Sequence, residues 1–265
     1  WLLEEYARDH GFRQDVQIEY RVPGGAMFGV KKYADMLAAE AISRNLDTHF
    51  KTELISVDGD NKTATFKNMD NGKESIENFD MLHVAPPMGP PAFLKKSASL
   101  INETGFLNVN KHTLQTMNHP NVFGIGDCMG TTNSKSAAAI TSQAPVVVHN
   151  LLKCITSKSN VTHDTKTNIE LRGLYNGYGS CPLIIGKGKV ILAEFGYDGK
   201  IMETFCSTSG KFPYSLVGSH GPQQMKLFYF MKETIFPMAY WDMYLSGNWY
   251  GPNGPFKPDV TETKC

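Results

Sequence analysis

The sequence predicts a mixed α/β fold, and three observations support that class. Polar and apolar residues alternate over residues 16–22, which is typical of a half-buried strand. After a Pro-Gly-Gly loop, apolar residues recur at helical spacing over residues 30–46. Short extended segments joined by Asp, Asn and Gly turns come next. A strand, a loop and a helix in this order predict the beginning of a doubly wound unit.

The elements on either side of this unit follow from the same kinds of pattern. Residues 2–10 predict an amphipathic helix with Gly11 just beyond its end, where a glycine commonly terminates a helix. Residues 54–57, 63–66 and 76–79 are short extended segments separated by turn-forming residues. We therefore expect an antiparallel meander after the first helix pair.

A proline-rich run marks a domain boundary after the meander. Residues 81–85 are apolar except for His83 and predict one more strand, in which that histidine is more typical of a core side chain than of a catalyst. The next six residues include four prolines and cannot form a regular element, so we place a crossover at Pro86. The expected regions are residues 1–85, residues 86–155 and residues 156–265.

Composition excludes several functional classes. Lys and Arg together number 26, as do Asp and Glu, and no basic run stands out, so a nucleic-acid partner is not expected. The five cysteines form no C-x-x-C pair, which argues against a structural zinc site and a dense disulfide scaffold, and we expect no metal.

No apolar run approaches the roughly 18 residues of a spanning helix. The chain begins at Trp1 inside a predicted helix, and we expect a truncated start.

Residues 122–152 predict a short buried strand, a tight turn and a helix of small residues. Gly126 has no side chain and would let a ligand approach the turn closely. Asp127, which ends the strand, can accept hydrogen bonds from sugar-like hydroxyls. The helix should begin near Ser134 and direct its free N–H groups at the same place, where Lys135 adds a positive charge. A ligand is therefore expected at this turn.

Two prolines lie inside predicted helices. Pro145 removes one backbone hydrogen bond and should kink or break its helix. Pro237 should divide residues 225–250 into two short amphipathic helices. The large side chains of these helices would ordinarily be core, but they exceed what one small sheet face needs, so we expect an interfacial, monotopic membrane anchor there.

Cys181 is the candidate reactive thiol. Residues 183–185, 190–195 and 201–205 predict a three-strand meander, with Cys181 before its first strand and Cys206 after its third. Those positions would lie at opposite ends of the sheet, about 15 Å apart, so a disulfide between the two is not expected. A cysteine before a proline is commonly a small buried apolar residue, but the glycines before Cys181 favour a thiol that a reactant can reach.

Four segments, in this order along the chain, resemble the eukaryotic sulfide:quinone oxidoreductase family: residues 81–88, 126–139, 175–183 and 191–195. In addition, residues 119–127 resemble the returning FAD strand of flavoproteins built from two dinucleotide-binding domains. The resemblance implies an α/β flavoprotein fold with antiparallel meanders. Residues 1–85 would then be the remainder of a second Rossmann-like domain, and residues 86–155 would return to the FAD domain.

The resemblance also implies a chemistry and its participants. Asp127, next to Gly126 and Lys135, would bind FAD, and Cys181 would be one of two redox cysteines, the other lying upstream of Trp1. Sulfide would open their disulfide to a persulfide, with electrons passing through FAD to ubiquinone and the sulfur passing to a small acceptor such as glutathione or sulfite. The implied location is the mitochondrial inner membrane, with peripheral or monotopic attachment.

Two alternatives remain open at the level of sequence. The chain has no complete G-x-G-x-x-G after a strand, because the Gly124-x-Gly126 pair continues to Met129. We therefore expect this chain by itself to hold FAD weakly or not at all. One alternative is a flavocytochrome-type sulfide dehydrogenase, which passes electrons to haem. The other is a non-catalytic, membrane-associated interaction module.

Overall fold

A computed structural model of the chain describes residues 1–157, 171–204 and 226–261. The chain divides into two compact units. The first consists of Trp1–Pro87 together with Ile184–Lys187, and the second consists of the remaining residues. Among the described residues, no helix is both long enough and apolar enough to cross a bilayer.

The first unit begins as the predicted α/β arrangement. Helix α1 (Leu2–Asp9) and a 3₁₀ turn (Arg13–Asp15) precede strand β1 (Glu19–Arg21), helix α2 (Lys31–Ser43) and strand β2 (Asp47–His49). Strands β1 and β2 pair in parallel, as a helical crossover requires. The α2 face that carries apolar residues at helical spacing is buried, with Tyr33, Leu37 and Ala41 almost inaccessible. The predicted strand over residues 16–22 is real but has only three residues.

The predicted meander is confirmed as a three-stranded antiparallel sheet. Strands β3 (Thr52–Asp58), β4 (Thr63–Asn68) and β5 (Glu74–Asn78) pair in sequence order, with a bulge in β3 between Leu54 and Ser56. A side chain stabilises the turn between β3 and β4, since the Asp58 carboxylate accepts a hydrogen bond from the Asn61 backbone N–H at 3.0 Å.

The strand predicted over residues 81–85 is absent, and this prediction was wrong. Met81 is 73% exposed, and His83 is exposed rather than part of a core. No strand in the described part of the chain pairs with this segment. An apolar run needs a neighbouring strand to satisfy its backbone groups, and the pattern alone cannot supply one.

The second unit is organised around helix α3 (Ala137–Thr156). Before it come 3₁₀ turns at Ala92–Lys96, Ala98–Leu100 and Gly126–Cys128. The strand predicted at residues 122–125 is reduced to an isolated bridge between Gln115 and Phe123 and a hydrogen bond of 2.8 Å from the Gly124 N–H to the Leu114 carbonyl.

Helix α3 passes through Pro145 without a break, so of the predicted kink or break the break is ruled out. The helix begins at Ala137, three residues after the predicted start, with the Ser136 hydroxyl accepting the Ala139 N–H at 3.3 Å. Proline removes one donor, but burial of the face that carries Val146 and Asn150 stabilises the continuous helix. Tertiary packing therefore outweighs the local preference.

A β-hairpin follows, formed by β6 (Gly179–Gly186) and β7 (Lys189–Phe195). Cys181 lies within β6 and not ahead of it, which corrects the predicted position. The predicted third strand is only a bridge between Phe195 and Ile201. Residues 202–204 form no strand, and Phe205 and Cys206 lie outside the described residues.

Residues 226–244 form the C-terminal helical segment, in which α-helical and π-helical turns alternate. A π turn (Met231–Ile235) precedes an α-helical turn (Phe236–Ala239), and the backbone is right-handed helical at Ile235, Phe236 and Ala239. Pro237 therefore does not divide two helices, and that prediction was wrong. A π turn is a common local adjustment inside a helix, and we attribute the accommodation of the proline ring to it.

The core of the second unit combines apolar and aromatic side chains with buried amides. One cluster of buried side chains in this core consists of Leu114, Met129, Val146, Tyr175, Tyr178 and Tyr197. Asn150 is inaccessible to solvent and makes three hydrogen bonds, two donated to the carbonyls of Thr113 (3.0 Å) and Gly173 (2.9 Å) and one accepted from the Gly173 N–H (2.9 Å). One side chain thus joins α3 to two other chain segments.

We predict that Asn150→Ala lowers the free energy of unfolding by about 2–4 kcal/mol, because three backbone groups would lose their partner in a buried site. Chemical denaturation of the full-length protein measures the change. Leu152→Ala is the matched control on the same helix, since Leu152 is 55% exposed, and it should change stability by less than about 0.5 kcal/mol. Equal effects of the two substitutions would contradict the role assigned to Asn150.

Candidate functional site

The turn that carries Gly126 and Asp127 is held against α3. Gly126 adopts a left-handed conformation with φ of 74°, which favours glycine. Its backbone N–H donates to the Gln143 side-chain oxygen at 2.8 Å, and Gln143 is fully buried. A Cβ at position 126 would lie 3.3 Å from a methyl group of Ile140. Asp127 follows with an exposed side chain, so the turn presents a carboxylate to solvent.

Lys135 is used to hold its own loop. Its ammonium group donates to the Met129 carbonyl at 2.5 Å and lies 4.9 Å from the centre of the Phe106 ring. Partial burial lowers the pKa of Lys135, while the negative charge of Asp127 acts in the opposite direction. Lys135 and Asp127 are therefore close enough to interact electrostatically. The hydrogen bond of the ammonium, however, goes to the backbone and not to Asp127.

Cys181 is half-buried, and its sulfur lies 3.4 Å from the Ser134 hydroxyl oxygen. Ser134 precedes Lys135 in the loop that leads into α3, so this contact joins the loop of the predicted ligand turn to strand β6. Gly179 permits the approach, because a Cβ there would lie only 2.8 Å from the Ser134 Cβ. The structure therefore connects the predicted catalytic residue with the predicted cofactor loop through Ser134.

Sequence reasoning missed Ser134 as a partner of Cys181. A signal was present, since a glycine two residues before the cysteine leaves one side of the strand open next to it. The signal identifies space for a neighbour but not which neighbour fills it.

A buried carboxyl group within the hairpin was also missed. Glu194 in β7 is 4% exposed and accepts hydrogen bonds from the Tyr178 hydroxyl, the Thr204 N–H and the Thr204 hydroxyl, each at 2.7 Å. Burial raises the pKa of Glu194 above its usual value, although these donors oppose the shift. Burial and the neighbouring Glu194 also raise the pKa of Tyr178. A single acidic residue inside the apolar run of β7 was the available signal.

Two other cysteines, Cys128 and Cys154, lie in the described part of the chain. The Cys128 thiol donates to the Ile125 carbonyl at 3.2 Å, which keeps it within its turn. Cys154 is buried on α3, and burial raises the pKa of its thiol. A raised thiol pKa disfavours the thiolate, so Cys154 is poorly suited to nucleophilic chemistry.

One cluster in the first unit has the residue types of a metal site. Ligand atoms of Glu19, Asp47 and His49 all lie within 4.8 Å of one another. The Arg21 guanidinium donates to the Glu19 carboxylate at 2.6 Å and supplies a positive charge to the cluster. The Glu19 carboxylate is therefore already paired with a cation, and the Asp47 carboxylate lies 3.1 Å from the His49 Nε2, so we assign no metal to the cluster.

No protein-family model matches the chain. Curated relatives do match nearly all of it. The chain is 38% identical over 261 residues to the mitochondrial sulfide:quinone oxidoreductase of Dictyostelium discoideum, covering 98% of this chain and 52% of that protein. The corresponding proteins of Schizosaccharomyces pombe and Mus musculus are 39% and 36% identical, covering 97% and 95% of this chain. The chain belongs to the sulfide:quinone oxidoreductase family. It spans about half the length of these relatives.

Solved structures share the fold. A chain in the mitochondrial ATP synthase structure from Tetrahymena thermophila has a TM-score of 0.71 at 22% identity, covering 94% of this chain and 54% of that chain. The sulfide:quinone oxidoreductase from the bacterium Aquifex aeolicus has a TM-score of 0.60 at 13% identity, covering 93% of this chain and 54% of that chain. The predicted fold class, an α/β fold of the FAD/NAD(P)-binding flavoprotein type, is confirmed.

The Asp127 turn fits one part of a flavin cofactor. The exposed carboxylate can accept hydrogen bonds from a hydroxyl-bearing chain, and Gly126 adds no side chain that would exclude it. The N-terminus of α3 follows in the same loop, where its backbone N–H groups and dipole favour electron-rich atoms. These residues fit the ribityl and flavin side of FAD.

We predict that ionisation of Glu194 destabilises the fold. Because its folded pKa is raised, the unfolded chain ionises first as the pH rises above about 4.5, and the stability advantage present at lower pH is lost as the pH passes through the folded pKa. Wild type should therefore exceed Glu194→Gln in unfolding free energy most strongly near pH 4, and by less near pH 8.

Denaturation of the full-length protein at both pH values measures this difference. Glu103→Gln is the matched control, because Glu103 is exposed in the same unit, and it should give no pH-dependent difference. A gap between wild type and Glu194→Gln that widens from pH 4 to pH 8 would contradict the predicted sign.

Proposed function

We propose that the protein containing this chain oxidises hydrogen sulfide and transfers the electrons through FAD to a quinone. The observation that supports this most directly is the half-buried Cys181 thiol, which contacts the loop that follows the Asp127 turn. Identity of 36–39% to mitochondrial sulfide:quinone oxidoreductases extends over nearly the whole chain. Quinone is therefore favoured over haem as the electron acceptor.

In this proposal Asp127 would hold the ribityl chain of FAD by accepting hydrogen bonds from its hydroxyls. The turn is kept open by Gly126 and by its hydrogen bond to Gln143. Lys135 stabilises the loop through the Met129 carbonyl and contributes positive charge nearby. When bound, FAD supplies the two-electron chemistry that the protein side chains lack.

Cys181 forms a disulfide with a second cysteine of the full-length protein in the proposed cycle. Hydrosulfide attacks one sulfur of this disulfide, forming the S–S bond of a persulfide and releasing the other cysteine as a thiolate. Transfer of the outer sulfur to a small acceptor, glutathione or sulfite, returns the persulfide to a thiol. Re-formation of the disulfide releases two electrons to FAD and a proton to solvent.

The proposed location is the mitochondrial inner membrane, with ubiquinone as the acceptor that FAD reduces. The C-terminal helical segment supports attachment to a membrane surface. Four large apolar side chains of this segment and one directly after it are 48–68% exposed: Leu227, Phe230, Met238, Trp241 and Leu245. Phe228, by contrast, is buried. Exposed apolar side chains on a helical segment of this length favour a position in the interface of a bilayer.

We predict that Cys181→Ser abolishes sulfide-dependent flavin reduction in the full-length protein, because a neutral hydroxyl forms neither a disulfide nor a thiolate. Stopped-flow absorbance of the flavin after mixing with sulfide measures it. Cys154→Ser is the control and should retain reduction, since Cys154 is a buried thiol on α3. Normal flavin reduction by Cys181→Ser would refute the assigned role.

We predict that the double substitution Phe230→Gln with Trp241→Gln weakens vesicle binding by about tenfold or more, because each such side chain contributes about 1.5–3 kcal/mol when fully buried. Co-sedimentation of the full-length protein with phosphatidylcholine vesicles measures it, after circular dichroism has verified folding. Phe256→Gln is the matched control, because Phe256 is 77% exposed outside the C-terminal helical segment. Equal binding by the double variant and wild type would place membrane attachment elsewhere.

A further inference from the structure

We propose that Ser134 is a positioning residue for Cys181, whose hydroxyl donates a hydrogen bond to the sulfur and stabilises its thiolate form. The inference deepens the proposed function, since it concerns the thiol assigned there to sulfide oxidation. It rests on the contact between the α3 loop and strand β6.

The direction of the hydrogen bond follows from the chemistry of the two groups. The Ser134 oxygen and the Cys181 sulfur are 3.4 Å apart, and when the sulfur is a thiol either atom can donate. A thiolate has no proton and can only accept. Ionisation of Cys181 therefore leaves the hydroxyl as the donor, and a hydrogen bond to a charged acceptor is stronger than one between neutral groups.

Packing holds the hydroxyl in place. Gly179 and Cys181 are two residues apart in β6, so their side-chain positions share one face of the strand. Ser134 occupies the space over Gly179, where a Cβ would lie 2.8 Å from its own Cβ. The Ser134 carbonyl accepts a hydrogen bond of 2.9 Å from the side-chain amide of Asn133, a buried residue. Both the backbone and the side chain of Ser134 are thereby restrained.

The neighbouring positive charge, on Lys135, is hydrogen-bonded to a backbone carbonyl. Lys135 follows Ser134 directly, but its ammonium donates to the Met129 carbonyl. Within the described ranges, the Ser134 hydroxyl is the hydrogen-bonding group found at the Cys181 sulfur. The proposal therefore assigns the interaction with the sulfur to a neutral donor held by packing.

The test is the pH dependence of Cys181 alkylation by iodoacetamide in the reduced full-length protein. Peptide mass spectrometry follows Cys181, and buried Cys154 serves as an internal reference for unfolding. The variants are Ser134→Ala, which removes the donor, and Ser134→Thr, which retains a hydroxyl. Only the thiolate reacts, so the midpoint of the rate profile reports the thiol pKa.

Ser134→Ala should move this midpoint to higher pH. Because nucleophilicity increases with thiol pKa, the variant should react about threefold more slowly well below the midpoint and about threefold faster on the alkaline plateau, so that the two rate profiles cross. Ser134→Thr should follow wild type. A uniform change of rate with an unchanged midpoint would overturn the inference, since that is what altered access alone produces.

Flavin reduction by sulfide, measured on the same proteins, separates this inference from the proposed function. A shifted midpoint in Ser134→Ala, together with normal flavin reduction by Cys181→Ser, would refute the proposed function and leave the hydrogen bond established. An unchanged midpoint, together with loss of flavin reduction in Cys181→Ser, would refute the role of Ser134 alone.

Discussion

Two buried amide side chains on one face of α3 determine where the candidate site lies. Gln143 and Asn150 are seven residues apart, about two helical turns, and both are inaccessible to solvent. Gln143 accepts the N–H of Gly126, and Asn150 exchanges hydrogen bonds with Gly173. Removing the partner of a buried hydrogen-bonding atom is costly, so the partners of the Gln143 oxygen and of the Asn150 amide favour the observed positions of the two chain segments. The helix thereby positions both the Asp127 turn and the segment that leads to Cys181.

The contact between Ser134 and Cys181 is a consequence of this arrangement. The loop between the Asp127 turn and α3 is constrained at both ends, by Gln143 and by the Ser136 cap. The strand that carries Cys181 approaches it at Gly179, the one kind of residue that leaves room for Ser134. The Lys135 ammonium is hydrogen-bonded to the Met129 carbonyl of the same loop, and the Cys181 sulfur is contacted by the neutral Ser134 hydroxyl.

Buried polar groups in the hairpin have a different role. Glu194 accepts three hydrogen bonds that join Tyr178 and Thr204 to β7. Its position among apolar neighbours raises its pKa, so the same group that ties the hairpin together opposes folding once it ionises. We interpret it as a structural carboxyl group rather than as part of the cysteine chemistry.

Local patterns in the sequence determined the α/β class, the meander of β3, β4 and β5, and the turn that carries Asp127. Each depends on turn residues and periodicity over a few positions, which act without distant partners. Only the tertiary structure decided that α3 continues through Pro145 and that residues 81–85 form no strand. It also decided that Cys181 lies inside β6 and contacts Ser134, 47 residues away in the sequence. These outcomes depend on which surfaces and backbone groups find a partner, and periodicity within one segment carries no information about that partner.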